Sequence, residues 1–420
     1  MTPVVFLRAL FILFAVLNFV RANASPDEPL RREVPGTVRS NSPFLPHEFM
    51  FLADFKDLMT RHWNGVRSYL AERGMQFLPV YKLDYVSNFS GGKQYNNVGV
   101  GNFDLKISGT TDKLIGLDGF TFLFYGLLNH GNKPTEFIGD NQTTTNIETP
   151  DGGFNAKIYE LWVQRAFGND KGSFLFGLHD LNSEFYSTES SAPLLNASFG
   201  VGRELSQTGQ YGPSIFPVTS TCFRLRYDFE ILEMLVGAFD GVSGDPQNPK
   251  GTHIRFDSQD GLLWILEVAN KVDGQSKIGI GTWRYTRDFD HLSEVDGSGN
   301  PLKHNSHGAY LLVEKRVQEN AVAFLRYGEA STATNRFKSN LAIGLTYLNI
   351  SFGMTQATLG NEYKIANSTS VDNETTWEAN YEHSWAPGLI IKPDLQHIQN
   401  PDNLNVDNVL VGTLRLQAEL

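Results

Sequence analysis

The stretch VLVGTLRLQAEL, residues 409–420, alternates with a period of two. Leu410, Leu414, Leu416 and Leu420 point to one side, with Gly412 and Ala418 among them. Val411, Thr413, Arg415, Gln417 and Glu419 point to the other. Successive side chains of an extended strand face opposite ways, so this strand separates an apolar environment from a polar one. A soluble sandwich would turn the polar side to bulk water. A membrane barrel turns the apolar side to lipid and the polar side to a wet lumen.

The alternation recurs upstream. Phe103, Leu105 and Ile107 oppose Asp104 and Lys106; Phe223, Leu225, Tyr227 and Phe229 oppose Arg224, Arg226 and Asp228. Trp264, Leu266 and Val268 oppose Glu267, Trp283 and Tyr285 oppose Arg284, and Trp377 and Tyr381 oppose Glu374, Glu378 and Glu382. In each case the charged side is expected to face the lumen. About sixteen such segments can be laid out, an even number as in bacterial barrels. They fall at 75–87, 98–110, 116–128, 157–167, 173–183, 218–229, 231–240, 259–270, 275–287, 307–317, 320–329, 338–347, 349–358, 373–384, 388–398 and 407–420. Short joints near Glu230, Leu348 and Pro387-Gly388 alternate with long loops at 129–156 and 184–217. That asymmetry suits a barrel, and makes the two long loops candidates for pore constriction or gating. The expected fold is all-β: a transmembrane antiparallel β-barrel with a short N-terminal helical segment.

Residues 1–24 read as a cleaved secretory signal. Arg8 precedes the apolar run ALFILFAVLNFV, and Ala22 and Ala24 supply the small residues before a cut at Ser25. The apolar run is short for a membrane-spanning helix, which needs about 20 residues. Residues 25–74 read as a polar, Pro-rich lead-in followed by a helix over 44–73, with Leu58, Trp63, Val66 and Leu70 at helical spacing and Gly74 as its stop. Residues 75–420 form the expected barrel. No later segment holds a long uninterrupted apolar run, so a membrane crossing must be made by strands.

The net charge is −11, and removing Arg8 and Arg21 with the first 24 residues lowers it to −13. A chain so acidic is a poor partner for nucleic acid. The single cysteine, Cys222, excludes an internal disulfide and makes a thiolate metal site improbable. Catalytic and nucleotide motifs are not found: no Gly-x-Ser-x-Gly, no His-Glu-x-x-His, no phosphate-cradling Gly-Lys-Ser/Thr loop. Asp140-Asn141-Gln142 and Asp151-Gly152 lack calcium-loop spacing. His179 beside Asp180, with Ser173 and Ser183 nearby, is better explained by a polar lumen than by a triad. No enzyme activity, cofactor or metal is expected.

Several longer stretches resemble one family. GFTFLFYGLLNHGNKPTEFIGDNQTTTNIE (119–148), KIYELWVQ (157–164) and FLFGLHDLNSEFYSTESSAPLLNASFG (174–200) are similar to carbohydrate-selective porins of the OprB type. So are GPSIFPVTSTCFRLRY (212–227), GAFDGVSGDPQNP, DGLLWILE, and the C-terminal ETTWEANYEHSWAPGLIIKPDLQHIQNPD (374–402). The resemblance runs from about Tyr69 to Leu420. It implies an outer-membrane porin passing monosaccharides and related small polar solutes by facilitated diffusion. Glu160, Trp162, Arg224, Arg226, Glu374, Glu378, Asp394 and Gln396 are the pore-lining residues it points to. Glu267 and Arg284 join them from the alternation. Arg and carboxylate forks can hydrogen-bond sugar hydroxyls, and Trp offers a stacking face. The implied partners are outer-membrane lipid, small carbohydrates and the barrel assembly machinery, with a homotrimer left open. A terminal aromatic is common in the family; here Leu420 stands in its place. A general or organic-acid-selective pore on the same barrel is the main alternative. A barrel enzyme and a non-conducting structural barrel are further ones.

Overall fold

The computed structural model describes residues 65–420, apart from 246, 256, 273–275 and 402–405. The expected signal peptide, the lead-in and most of the expected helix lie outside the described residues. Val66–Glu72 is helical, and Gly74, at φ +76°, takes the left-handed conformation that stops it.

Strands follow in unbroken up-and-down order. They are β1 (Met75–Ser90), β2 (Asn97–Thr110), β3 (Phe120–Gly131), β4 (Asn155–Phe167), β5 (Gly172–His179), β6 (Ser220–Asp228), β7 (Leu232–Asp240) and β8 (Leu262–Val272). The second half comprises β9 (Ser276–Val295), β10 (Pro301–Gln318), β11 (Ala321–Ala330), β12 (Phe337–Tyr347), β13 (Ile350–Leu359), β14 (Asn373–Tyr381), β15 (His383–Ala386), β16 (Leu389–Gln399) and β17 (Val409–Glu419). Each pairs antiparallel with its neighbours, and β1 pairs with β17 (Tyr85↔Leu414) to close the sheet. β14 and β15 flank Glu382 and both pair with β16, so they are two halves of one stave. The seventeen strands therefore make a closed barrel of sixteen staves. Closure leaves no edge strand, which is what lets a sheet cross lipid with every backbone group paired.

The alternation translates into two faces. On β17, Leu414 and Leu416 are exposed on the outside while Thr413 and Arg415 are buried inside. On β8, Leu262, Trp264, Leu266 and Val268 face out; Leu263, Ile265, Glu267 and Ala269 face in. The short joints fall where expected. Glu230, Leu348 and Gly388 adopt positive φ in tight turns, all at one end of the barrel. The long connections lie at the other end, the extracellular one by the usual asymmetry of such barrels.

The lumen is not uniformly wet. Leu123, Tyr125, Trp162, Leu175, Cys222, Phe239, Leu263, Ile265, Trp283, Tyr285 and Tyr310 point inward from the walls of β3–β10. They pack around Leu181, Phe185, Tyr186, Val201 and Leu205 of the β5–β6 connection. That connection folds into the barrel and builds an apolar core there, each large side chain contributing roughly 1.5–3 kcal/mol on burial. This reverses the expected reading of TWRYT. Trp283 and Tyr285 are both 1% exposed and face inward, and Arg284 is exposed on the outer face. A period of two identifies two faces but does not say which is inside. The aromatic side was drawn inward by the loop that needs an apolar wall.

Candidate functional site

Two loops occupy the lumen: the β3–β4 loop (132–154) and the β5–β6 loop (180–219). Polar groups of the inner wall fasten both. Glu374 accepts hydrogen bonds from the backbone N–H of Asn141 at 2.8 Å and of Gln142 at 3.0 Å. Gln396 donates to the Thr144 carbonyl at 2.8 Å. Asp84 and Arg415 form a two-pronged ion pair, both contacts at 2.7 Å, and Thr145 donates its hydroxyl to Asp84.

The second loop is held in the same manner. Glu378 accepts the N–H groups of Leu195 and Asn196, the latter at 2.9 Å. Glu267 accepts the Tyr186 N–H at 2.8 Å and the Tyr310 hydroxyl at 2.7 Å. Glu314 accepts the Ser190 N–H at 2.6 Å. Arg326 donates to the carbonyls of Tyr186 and Gly200. A loop backbone inside a barrel has no ladder of its own, so its N–H and C=O groups need such partners.

All the predicted lining residues except Arg284 face the interior, but most are covered by the loops. Glu160 receives Trp162 Nε1 at 3.1 Å and the Asp180 N–H at 3.2 Å, and lies 2.9 Å from His179 Nδ1. Trp162, 6% exposed, has no free stacking face. Arg224 is bound by Glu184 at 2.6 Å and by Ser173 and Gln164. Asp394 accepts from Gln396 at 3.1 Å, and Arg226 pairs with Glu233 lower on the wall. His179 sits between Glu160 and Glu184, and Ser183 Oγ donates to the Asp180 carbonyl at 2.7 Å, so this group is a wall network.

The loops also bond to each other. Asn146 N–H donates to the Leu195 carbonyl at 2.7 Å, Ala197 N–H to the Thr143 carbonyl at 3.0 Å, and Arg203 to the Thr143 hydroxyl at 2.7 Å. Above this bridge lies a cavity of 250 Å³ lined by Lys93, Thr135, Gly139, Asp140, Asn141, Thr143, Gln207 and Arg336. Arg336 donates to the Asn141 side-chain carbonyl at 2.6 Å. Asp140 Oδ1 and Arg203 Nε are buried without a hydrogen-bond partner among the described residues. Burial raises Asp140, and burial with the Asp140 charge pushes Glu148 up to about 8.

Sequence reasoning missed Asp84, Lys93, Asp140, Arg203, Arg336 and Arg415 as site residues. Arg203-Glu204, charged residues inside the apolar SAPLLNASFGVGREL, was the signal available. One His/Glu group among the described residues could approach a metal: His291, Glu294 and His304, with ligand atoms within 4.8 Å. His291 Nδ1 accepts the Glu294 N–H at 2.9 Å, which puts the proton of a neutral ring on Nε2, the nitrogen facing the Glu294 carboxylate.

Comparison with known proteins agrees with this architecture. Porin B of Pseudomonas aeruginosa is 22% identical over 418 residues, covering 86% of this chain and 90% of that protein. The high-pH structure of Pseudomonas putida OprB superposes with a TM-score of 0.75 at 19% identity, covering 90% of this chain and all of that one. The outer membrane channel DcaP of Acinetobacter baumannii gives 0.53 at 8% identity over 82% of this chain and 97% of that one. The family description "Carbohydrate-selective porin, OprB family" matches residues 99–420. With its closed sixteen-stave barrel and infolded loops, this chain belongs to the carbohydrate-selective porin family of the bacterial outer membrane.

Proposed function

We propose that the protein passes monosaccharides and related small polar solutes across the outer membrane by facilitated diffusion. The cavity that the β3–β4 loop forms with Lys93, Gln207 and Arg336 carries this reading. Its lining mixes hydroxyl, amide, carboxylate and guanidinium groups at short range, the donor and acceptor set that a neutral polyol needs. Charges of both signs close together disfavour passage of a simple ion of either sign. Weak, shared contacts of this kind also permit release, which transport requires. The residues proposed to meet solute are therefore Asp140, Asn141, Thr143 and Arg336, with Arg203 beneath them. The predicted Glu374, Glu378, Glu267 and Gln396 position the loops.

A specific observation favours the second reading, an organic-acid pore. Two cations, Lys93 and Arg336, line the cavity with one carboxylate, Asp140. Liposome swelling separates the two. Faster entry of glucose than of gluconate supports the sugar reading; the reverse order supports the acid reading, and equal rates for glucose, gluconate and neutral amino acids contradict selectivity of either kind.

A further inference from the structure

Arg284 on β9 and His307 on β10 are register partners on the outward face of the barrel. Trp264 on β8 is the partner of Arg284 on its other flank and is 47% exposed. The three side chains form a row across adjacent staves. Toward the short turns the outward face is apolar: Leu266 and Val268 on β8, Ile278 and Ile280 on β9, Leu311 on β10. Toward the long-loop end it turns polar, with Asp288, Asp290 and Lys303. The row thus marks the extracellular edge of the lipid-facing band, the level at which barrels carry aromatic girdles.

A cation here is unusual in this chain. Among the described residues, neither the Arg284 guanidinium nor the His307 ring makes a hydrogen bond or ion pair. An arginine facing lipid costs roughly 2–4 kcal/mol at the bilayer midplane and about 0–1 near the interface. Its position at the edge fits the lower figure. Arg165, another exposed arginine on an outward strand face, behaves differently: its guanidinium lies 4.9 Å above the Phe120 ring near the short-turn end. A chain with net charge −11 has acids to spare, yet none is placed against Arg284. A lipid phosphate at the edge of the apolar band would supply the complementary charge. The guanidinium fork matches two phosphate oxygens, and an imidazole N–H beside it adds a further donor.

We propose that Arg284 and His307, flanked by Trp264, bind a phosphate group of a phosphorylated glycolipid in the outer leaflet. The site is separate from the conducting path and anchors the β8–β10 side of the barrel to its lipid.

The test uses the full purified chain in dodecyl maltoside, with diphosphoryl lipid A and its dephosphorylated form as probes and retention read by native mass spectrometry. The wild type should retain the phosphorylated form about tenfold more than the dephosphorylated one. Arg284→Gln should lose about that factor, His307→Ala a smaller part, and Arg165→Gln none. Millimolar inorganic phosphate should not displace the lipid. Equal wild-type retention of the two lipid forms, or full retention by Arg284→Gln, overturns the site. Displacement by inorganic phosphate overturns the lipid as its occupant. The wild-type comparison decides the matter even if a variant fails to fold.

Discussion

Glu374 on β14 accepts the backbone N–H groups of Asn141 and Gln142, which lie more than two hundred residues earlier in the chain, at 2.8 and 3.0 Å. Glu378, two repeats of the alternation further along β14, does the same for Leu195 and Asn196. One stave therefore fastens both infolded loops. Under the proposed function, the wall carboxylates act on solute through the loops they hold.

Glu374→Gln should loosen the β3–β4 loop without unfolding the barrel. The amide keeps one acceptor oxygen but turns an NH₂ toward backbone donors. Hydrogen bonds to a charged acceptor are worth about 2 kcal/mol each, so most of the local docking energy is at stake. Single-channel conductance should rise, and limited proteolysis should cut within 132–154 while the barrel stays resistant. Unchanged conductance and protection would show that Glu374 is not a fastener.

Acid should tighten the loops. Burial, with the Asp140 charge, pushes Glu148 up to about 8, and burial pushes Glu204 up to about 7 beside the Tyr186 hydroxyl. Each keeps its proton in the docked loop after the free loop has lost it. Docking is therefore strongest below the ordinary carboxylate range and weakens as pH rises through it toward 7 and 8. Conductance should increase from pH 5 to pH 8.5, and Glu148→Gln should flatten much of that rise. A conductance that falls over this range contradicts the argument.

Gly328 is the wall position against which Glu204 rests. A methyl group there would collide with the Glu204 carboxylate and come 2.6 Å from the Tyr186 hydroxyl. Gly328→Ala should cost about 1–3 kcal/mol of overpacking. It should lower the thermal midpoint and make the β5–β6 loop more open to protease. An unperturbed melting curve would mean that the loop is not seated on β11 in solution.

Arg284 and Arg336 should part company in conductance measurements. Arg336 lines the cavity; Arg284 lies outside the barrel. Arg336→Gln should shift ion selectivity toward cations, read as a change of reversal potential in a salt gradient. Arg284→Gln should leave that potential where it is. A shift with Arg284→Gln would place its side chain on the conducting path.

The barrel was legible because lipid and lumen impose a period of two on every stave. VLVGTLRLQAEL shows it directly, and the short joints at Glu230, Leu348 and Gly388 mark the turns. What periodicity cannot convey is the identity of the inner face. TWRYT reads as aromatic-out, yet Trp283 and Tyr285 are inside because Leu205 and its neighbours supply an apolar partner there. The same limit applies to the site. Glu374, Glu378 and Gln396 lie buried on the inner wall. That Asn141, Gln142, Thr144, Leu195 and Asn196 would cover them depends on where two long loops fold, which no local pattern states. Asp140 and Arg203 belong to those loops, and nothing local in the sequence points to their place beside the cavity.

The most direct test of the central claim is planar-bilayer conductance titrated with glucose. If sugars pass through the cavity lined by Asp140 and Arg336, single-channel current should fall in a saturable manner with glucose, and the midpoint should rise about tenfold in Asp140→Asn or Arg336→Gln, a loss of one charge-assisted contact. Current that no sugar reduces, or a midpoint untouched by both substitutions, would contradict it.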